Sequence, residues 1–444
     1  MKLLFVIPEY PPHSGGGITT FYRHLLPELC RQGHQVHVLA GSAFSPALPS
    51  YHAAGLTVEF LDPQRVTANL VKFDRYRATP EFQRHLAAAW AAWEQVEGGI
   101  AYDLVETTDW GLLFVPWIVS PKSPPTIVQL HASIGQIDVC DPQLDTPLQG
   151  NLIRLIEVSL LAIADELQAN SLANANAWNQ LLRRKVTYIP PALSAQPIAA
   201  TEPSIHGLVV GRVQYWKGAT VLCEALRLLG YQAPKIDWLG RDTVYQESGL
   251  SMAGYLKQTY GDVWGTRVRS LGERSPAETQ QRQANAGYMI VPSIWDVFNY
   301  ACVEGMAQGQ PVLCSQGAGA VDLITPGVNG LTFAANDPSA LAASLNTLLS
   351  MTKQQRQAMG AAARQTIATQ LSPSEIAQQR TAAYEQVVQR GRFSTPPNDW
   401  LLEAVSPGQP LATPLAFLNH LPLRELSQYV LQRSVQKLVR STTR

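Results

Sequence analysis

The first forty residues, Met1 to Ala40, read MKLLFVIPEYPPHSGGGITTFYRHLLPELCRQGHQVHVLA. Residues 2–8 are an apolar run closed by Pro8, the pattern of a buried strand. Residues 11–17 form a turn of Pro, His, Ser and three consecutive Gly. From 18 to 33, Phe21, Leu25 and Leu29 recur at helical spacing, and Gly33 supplies the stop. Residues 35–40 make a second strand. Strand, loop, helix and strand in that order are a βαβ unit, which requires a parallel sheet.

The pattern repeats along the chain. Strand-like runs cover 103–107, 126–130, 166–170 and 186–189, with a helix over 151–164. Pro190-Pro191 and the Ala-rich sequence up to Pro203 read as a linker. Alternation then restarts with strands at 207–210, 235–239, 268–271, 288–291 and 311–314 and a helix over 220–229. The expected organisation is an N-terminal Rossmann-like domain over 1–195 and a second over 196–372. Helices are expected over 338–349, 353–370 and 373–390, the first with Asp337 as N-cap and Pro338 at its first position. The segment 392–414, punctuated by Pro and Gly, is expected to be irregular, and 415–444 to be helical and basic.

A chain of 444 residues exceeds what one core organises, so two domains are the natural expectation. The formal net charge is zero, so no bulk field recruits nucleic acid. Five cysteines, scattered and without a CxxC, fit a reducing compartment and argue against a Cys-ligated zinc. The apolar N-terminus is interrupted too early by Pro8 for a signal peptide. No run approaches the ~20 apolar residues of a membrane span.

Three motifs carry chemistry. Gly15, Gly16 and Gly17 lie between the first strand and the first helix, where backbone can approach an anion at the helix N-terminus; the alternative is a plain flexible turn. The sequence there does not match GxGxxG, which disfavours a dehydrogenase. Arg212 and Lys217 flank a short loop after the first strand of the second domain. At a strand's carboxyl end two such cations can neutralise a diphosphate, Arg212 as a fork and Lys217 as a point charge; otherwise they are solvated surface charges. Asp296 and Glu304 stand eight residues apart around an aromatic turn. Carboxylates so placed can grip sugar hydroxyls, or be a helix cap and a solvated acid.

These residues carry a resemblance. The strings SGGG, YDLVETTDW, QLHAS, ADELQANS, VTYIPPAL, VGRVQYWKG, LGERSP, VPSIWDVFNYACVEGMAQGQPV and GAVDLITPGVNGLTF occur in order across about residues 1–390. In that order and spacing the chain resembles the retaining GT-B glycosyltransferases of family 4, the glycogen-synthase-like type. The resemblance implies two doubly wound domains facing a central cleft, with the helix over 373–391 crossing back to the first domain and 392–444 as a helical extension. It implies a UDP- or GDP-sugar donor held mainly by the second domain. Arg212 and Lys217 would hold its diphosphate, Glu304 its ribose, and Asp296 the transferred sugar. Backbone N–H groups of Phe298, Asn299 and Tyr300 would meet sugar or phosphate, and the base would lie near Gly272, Glu273 and Arg274. Gly15 to Gly17 would close over the phosphates, and His131 would face the sugar from the first domain. Asp296, His131, Arg212 and Lys217 are thus the candidate catalytic residues. No cofactor is required, and with cations at the phosphates and no Asp-X-Asp string, no essential metal is expected.

Two residues depart from the family pattern: Asp296 stands where Glu is usual, and Asn299 where Gly is usual; Asp322, also a usual Glu, is a milder change. The departures keep a second reading open, a non-catalytic nucleotide-sugar-binding or partner subunit. An epimerase would need an acid/base cluster beyond His131. The acceptor, a glycan, a lipid-linked sugar or a small molecule, would meet the first domain at 62–77, 109–110 or 133–145, where Phe73, Tyr76 and Trp110 could stack on it or simply pack. In the tail, Leu423, Leu426, Val430, Leu438 and Val439 interleave with Arg424, Arg433, Lys437, Arg440 and Arg444, against the single acid Glu425. Such a helix either lies on an anionic membrane or packs on its own protein. The expected location is cytoplasmic, with peripheral contact at the inner membrane face under the first of these readings.

Overall fold

The computed structural model describes the chain apart from residues 13–15, 54, 142–147, 195–196, 246–248, 394–395, 409–421 and 443–444. The described residues form two α/β domains. The first sheet comprises β1 (Lys2–Ile7), β2 (Gln35–Ala40), β3 (Tyr51–Ala53), β4 (Leu56–Phe60), β5 (Leu104–Thr108), β6 (Thr126–Leu130), β7 (Glu166–Ala169) and β8 (Thr187–Tyr188). Their spatial order is β3-β4-β2-β1-β5-β6-β7-β8, all parallel except β3 against β4. The second domain contributes β9 (Gly207–Val210), β10 (Ile236–Leu239), a hairpin of β11 (Val244–Tyr245) and β12 (Leu250–Ser251), β13 (Val268–Gly272), β14 (Tyr288–Val291), β15 (Val312–Ser315) and β16 (Leu331–Phe333). Its parallel sheet has the order β13-β10-β9-β14-β15-β16.

Both sheets are covered on both faces, which is why their central strands read as unbroken apolar runs. Leu3 to Ile7 of β1 and Met289 to Val291 of β14 are almost fully buried. The helix Pro338–Ser350 starts on Asp337, whose side chain accepts from the Ala340 N–H, as its sequence predicted.

Four features differ from expectation. Strands β3 and β4 and the helices Pro63–Leu70 and Pro80–Gln95 were not foreseen. Within 62–77, Phe73 and Tyr76 are core side chains, so they pack rather than offer a stacking face. The segment 392–414 is not wholly irregular: the helix Asp399–Val405 docks on the first domain, burying Leu401 and Val405, and Trp90 Nε1 donates to the Val405 carbonyl. Finally, the described side chains of the tail helix Leu423–Thr442 are exposed but for half-buried Leu426, so over 423–436 it does not bury a face on its own protein.

The helix Pro373–Arg390 returns to the first domain and packs beside the helix Gly17–Arg31. Its anchor is Arg380, fully buried. Arg380 Nη1 lies 3.3 Å from Glu106 Oε2 and donates to Gln168 Oε1 at 3.0 Å, while Nη2 donates to Gln129 Oε1 at 2.7 Å. Tyr22 and Tyr384 hydroxyls donate to the two Glu106 oxygens at 2.9 and 2.6 Å. Near this helix, the two chain crossings between the domains touch: Leu193 N donates to the Leu371 carbonyl at 2.8 Å. Replacing one member of a buried ion pair strands the other, at a cost of about 3–5 kcal/mol. Arg380→Leu should therefore lower the calorimetric unfolding temperature markedly, and adding Glu106→Leu should recover most of the loss; an unchanged temperature in the single variant contradicts the anchoring role.

Candidate active site

In a sheet of this order the helices leave to opposite faces at one point, and a crevice opens there beyond the strands' carboxyl ends. The switch lies between β1 and β5 in the first sheet and between β9 and β14 in the second. Gly211, Gly240 and Gly272 end β9, β10 and β13 side by side. After Gly211 come Arg212 and then Lys217, whose loop closes at Gly218. Gly218 takes φ +78°, and a Cβ there would stand 1.8 Å from the Pro292 carbonyl, so only glycine lets the Lys217 loop settle against the end of β14. The segment 292–299 is stitched on both sides: Ile294 N donates to the Trp216 carbonyl at 2.9 Å, Asp296 N to Gly317 at 2.9 Å, and Gly319 N back to Asp296 at 3.0 Å.

This stitching brings four of the sequence-nominated residues together. Lys217 Nζ is 2.5 Å from Asp296 Oδ2, with side chains only 17% and 11% exposed. Asn299 Nδ2 donates to the same Asp296 oxygen at 2.9 Å. The Arg212 guanidinium and Lys217 Nζ lie 5.7 and 4.2 Å from the Trp216 ring centre. Arg212 is exposed, with the Trp216 ring covering one side of its guanidinium. The resulting loss of hydration, helped by nearby Arg241 and opposed by Asp296, lowers its pKa. The helix Tyr300–Ala307 begins here, and the N–H groups of Phe298, Asn299 and Tyr300 meet no acceptor among the described residues. Free N–H groups at a helix N-terminus favour an anion. One turn on, Glu304 accepts from Gln283 Nε2 at 3.0 Å. Burial raises the Glu304 pKa, while Gln283 and the Arg23 charge on the first domain's helix Gly17–Arg31 pull it back.

The first domain faces this group directly. Ser171 Oγ donates to the Val297 carbonyl at 2.6 Å, and Leu172 N donates to Asp322 Oδ2 at 2.9 Å. Asp322 thus sits at the N-terminus of the helix Leu172–Leu182, a favourable place for a carboxylate. Gly15 lies outside the described residues. Gly16 caps the helix Gly17–Arg31, and a Cβ on Gly17 would lie 3.1 Å from the Tyr300 ring. Part of that helix N-terminus is already used, since Thr19 N donates to Glu9 Oε1 at 3.2 Å.

His131 ends β6, with its ring edge-on to Phe21 and Tyr22 at 4.8 and 5.6 Å. Its Nε2 is buried and meets no partner among the described residues, and burial, with Arg380 nearby, holds its pKa down to about 3, so the imidazole is neutral. Below it, Asp109 Oδ1 accepts from the His131 N–H at 2.8 Å. Glu157 accepts from the N–H groups of Ile134 and Gly135, both at 3.0 Å.

Gly272, Glu273 and Arg274 stand apart from the Asp296 group; Glu273 and Arg274 are exposed beyond β13. Sequence reasoning missed Arg23, Arg241, Gln283 and Ser171. Arg241, two residues past the end of β10, was findable by the strand-end logic that found Arg212; Gln283 and Ser171 carry no such mark. Among the described residues no group of three or more His, Cys, Asp or Glu is placed to hold a metal ion.

Burial pushes the Asp109 and Glu157 carboxyls up to about 7 and about 8. In the unfolded chain both ionise near pH 4. Between those limits the folded state holds more protons, so their contribution is full below about pH 4 and is lost as pH rises through 7 to 8. Stability should fall over pH 5–8, and Asp109→Asn with Glu157→Gln should flatten that fall in pH-dependent thermal scans. An identical slope in the double variant contradicts this.

Comparison with known proteins supports the same architecture. Residues 16–192 match the family model of the glycosyl transferase 4-like domain, and 196–366 that of glycosyl transferases group 1. An uncharacterized glycosyltransferase of Methanocaldococcus jannaschii is 24% identical over 383 residues, covering 79% of this chain and 89% of its own length. The D-inositol 3-phosphate glycosyltransferase of Corynebacterium efficiens is 26% identical over 369 residues, covering 76% and 82%. Among solved structures, sucrose-phosphate synthase of Thermosynechococcus elongatus superposes with a TM-score of 0.66 at 18% identity, covering 88% of this chain and 100% of its own. Anabaena HepE, solved with UDP-glucose, gives 0.60 at 19%, covering 87% and 100%. With both domain models matched in order over a two-sheet α/β fold, the chain belongs to the GT-B glycosyltransferases of the family 4, glycogen-synthase-like type.

Proposed function

We propose that this enzyme moves a hexose from a UDP-hexose to an acceptor hydroxyl with retention at the anomeric carbon. The observation that carries the reading is the cluster at the second sheet's switch point: Arg212, Lys217, Asp296 and three unsatisfied N–H groups within one stitched loop system. Its electrostatics suit a diphosphate that gains charge as the glycosidic bond breaks. Arg212 and Lys217 supply positive charge there, so we propose that no divalent ion is essential. Glu304 takes the ribose, Asp296 a sugar hydroxyl, and the strand-end residues 272–274 flank the base. Closure over the phosphates uses the glycine turn 15–17, with neutral His131 facing the sugar. UDP is favoured because a related fold, Anabaena HepE, is solved with UDP and UDP-glucose.

In the proposed step the bond from the anomeric carbon to the phosphate oxygen breaks, and the acceptor oxygen bonds that carbon on the same face. The acceptor proton passes to the departing phosphate oxygen. Water must be excluded, since donor hydrolysis competes. The paired Leu193 and Leu371 crossings suit a hinge for such closure. The acceptor, a glycan, a glycolipid or a small molecule, is offered by the first domain. An intact, hydrogen-bonded Asp296 favours a working transferase over a non-catalytic subunit.

Assay of the purified enzyme with UDP- and GDP-hexoses should show transfer from the UDP donor, a product that keeps the donor's anomeric configuration, and no loss with a chelator. Glu304→Ala and Lys217→Ala should each weaken UDP binding at least tenfold by calorimetry with the unfolding temperature preserved. Unchanged affinity in both removes the site assignment.

We further propose a cytoplasmic location with peripheral contact at an anionic membrane. All five cysteines are free, as in a reducing compartment. Among the described residues no helix is long and apolar enough to cross a membrane. The tail helix exposes Leu423, Tyr429, Val430, Leu431 and Val435 alongside Arg424 and Arg433. Deleting 415–444 should reduce sedimentation with phosphatidylglycerol vesicles; equal sedimentation refutes the contact.

A further inference from the structure

Asn299 occupies a backbone conformation that few residues tolerate. It takes φ +77° and ψ +88° at the N-cap of the helix Tyr300–Ala307. Asparagine is admitted to the left-handed region because its short side chain can bond locally, and here that side chain is fully used. Its Oδ1 accepts from the Cys302 N–H at 3.1 Å, and its Nδ2 donates to Asp296 Oδ2 at 2.9 Å and lies 3.4 Å from Ser293 Oγ. The side chain therefore has no donor to spare for a ligand, which leaves only the backbone N–H free.

The consequence falls on Asp296. Its Oδ2 is held by Lys217 on one side and Asn299 on the other. Its Oδ1 takes no hydrogen bond from any described residue and keeps solvent access. A carboxylate one methylene shorter than glutamate has fewer rotamers to search. One pinned oxygen leaves the other pointing in a single direction.

We propose that Asn299 is a positioning residue that locks Asp296 so that Oδ1 alone meets one hydroxyl of the donor sugar, and that Asp296 and Asn299 form a matched pair. This rests on the donor-site reading above. A glycine at 299 would accept the backbone but could not hold the carboxylate. A glutamate at 296 would reach further and collide with the space the Asn299 amide fills. The two departures from the family pattern are one change made in two places.

The test is a double-mutant cycle on kcat/KM, with Asp296→Glu, Asn299→Gly and their combination. The expected result is a loss of at least tenfold in each single variant and recovery of at least tenfold in the double. Additive losses overturn the pairing. Asn299→Asp is the second variant, since aspartate keeps the helix cap and tolerates the backbone but turns the donor into a carboxylate beside Asp296. It should lower kcat at least tenfold while leaving UDP affinity and the unfolding temperature unchanged, because the bond that holds Asp296 Oδ2 becomes a repulsion between two carboxylates. A wild-type kcat in Asn299→Asp, in an enzyme whose wild type turns over, overturns the positioning role alone. A wild-type protein that binds no nucleoside diphosphate in calorimetry overturns the donor-site reading and this one with it.

Discussion

Everything in the molecule's arrangement depends on one buried charge. Arg380 comes from the far end of the chain, yet it is sealed inside the first sheet's covering layer against Glu106, Gln129 and Gln168. Burying a guanidinium costs several kcal/mol, and its carboxylate partner and amides offset that only in one geometry. Three central strands give up apolar positions to provide it. In return, the helix Pro373–Arg390 has a single register on the first domain, and the second domain, bounded by the touching Leu193 and Leu371 crossings, is suspended from that frame. The two crevices therefore meet face to face, with Ser171 and the helix Leu172–Leu182 reaching the loops of Val297 and Asp322.

Within this frame the proposed donor site is assembled by backbone. Glycines at 218 and 319 admit approaches that any side chain would block: a Cβ on Gly319 would meet the Val297 carbonyl at 2.2 Å. The loops after β9, β14 and β15 become one sheet-like stitch, and the charged side chains ride on it. Lys217 is paired with Asp296. On the proposed reading a diphosphate draws Lys217 partly away, and the hold on Asp296 Oδ2 passes to Asn299 alone. Glu304 sits deeper, its ionisation opposed by burial and supported by Arg23 from the other domain. That support depends on how closely the domains approach.

Much of this was legible in the residues. Apart from β4 and β16, the parallel strands of both sheets follow from buried apolar runs between turn residues, and the helices expected over 338–349, 353–370 and 373–390 from period and caps. Arg212, Lys217, Asp296 and Glu304 stood out because strand ends and helix starts can be located in sequence. What escaped has a common cause: it depends on partners distant in the chain. The helix Pro80–Gln95 is Ala-rich, and its buried face is set by what packs on it. Phe73 and Tyr76 read equally as platform or core until the helix Asp399–Val405 is seen to cover that side, with the Tyr76 hydroxyl donating to the Ala404 carbonyl at 2.5 Å. Glu106, Gln129 and Gln168 look like interruptions of apolar strands unless Arg380 is known to arrive. Asn299 stood out only as an Asn where the family has Gly; its bonds show it turned toward Asp296 and Cys302.

On the proposed function, a nucleoside diphosphate binds at the switch point of the second sheet. A crystal structure of the enzyme with UDP tests it most directly. The β-phosphate should lie at the N–H groups of 298–300, with the Arg212 guanidinium on its oxygens, Lys217 turned from Asp296 toward it, and the ribose on Glu304. UDP bound elsewhere, or bound with the Lys217–Asp296 pair intact and Glu304 untouched, would contradict it.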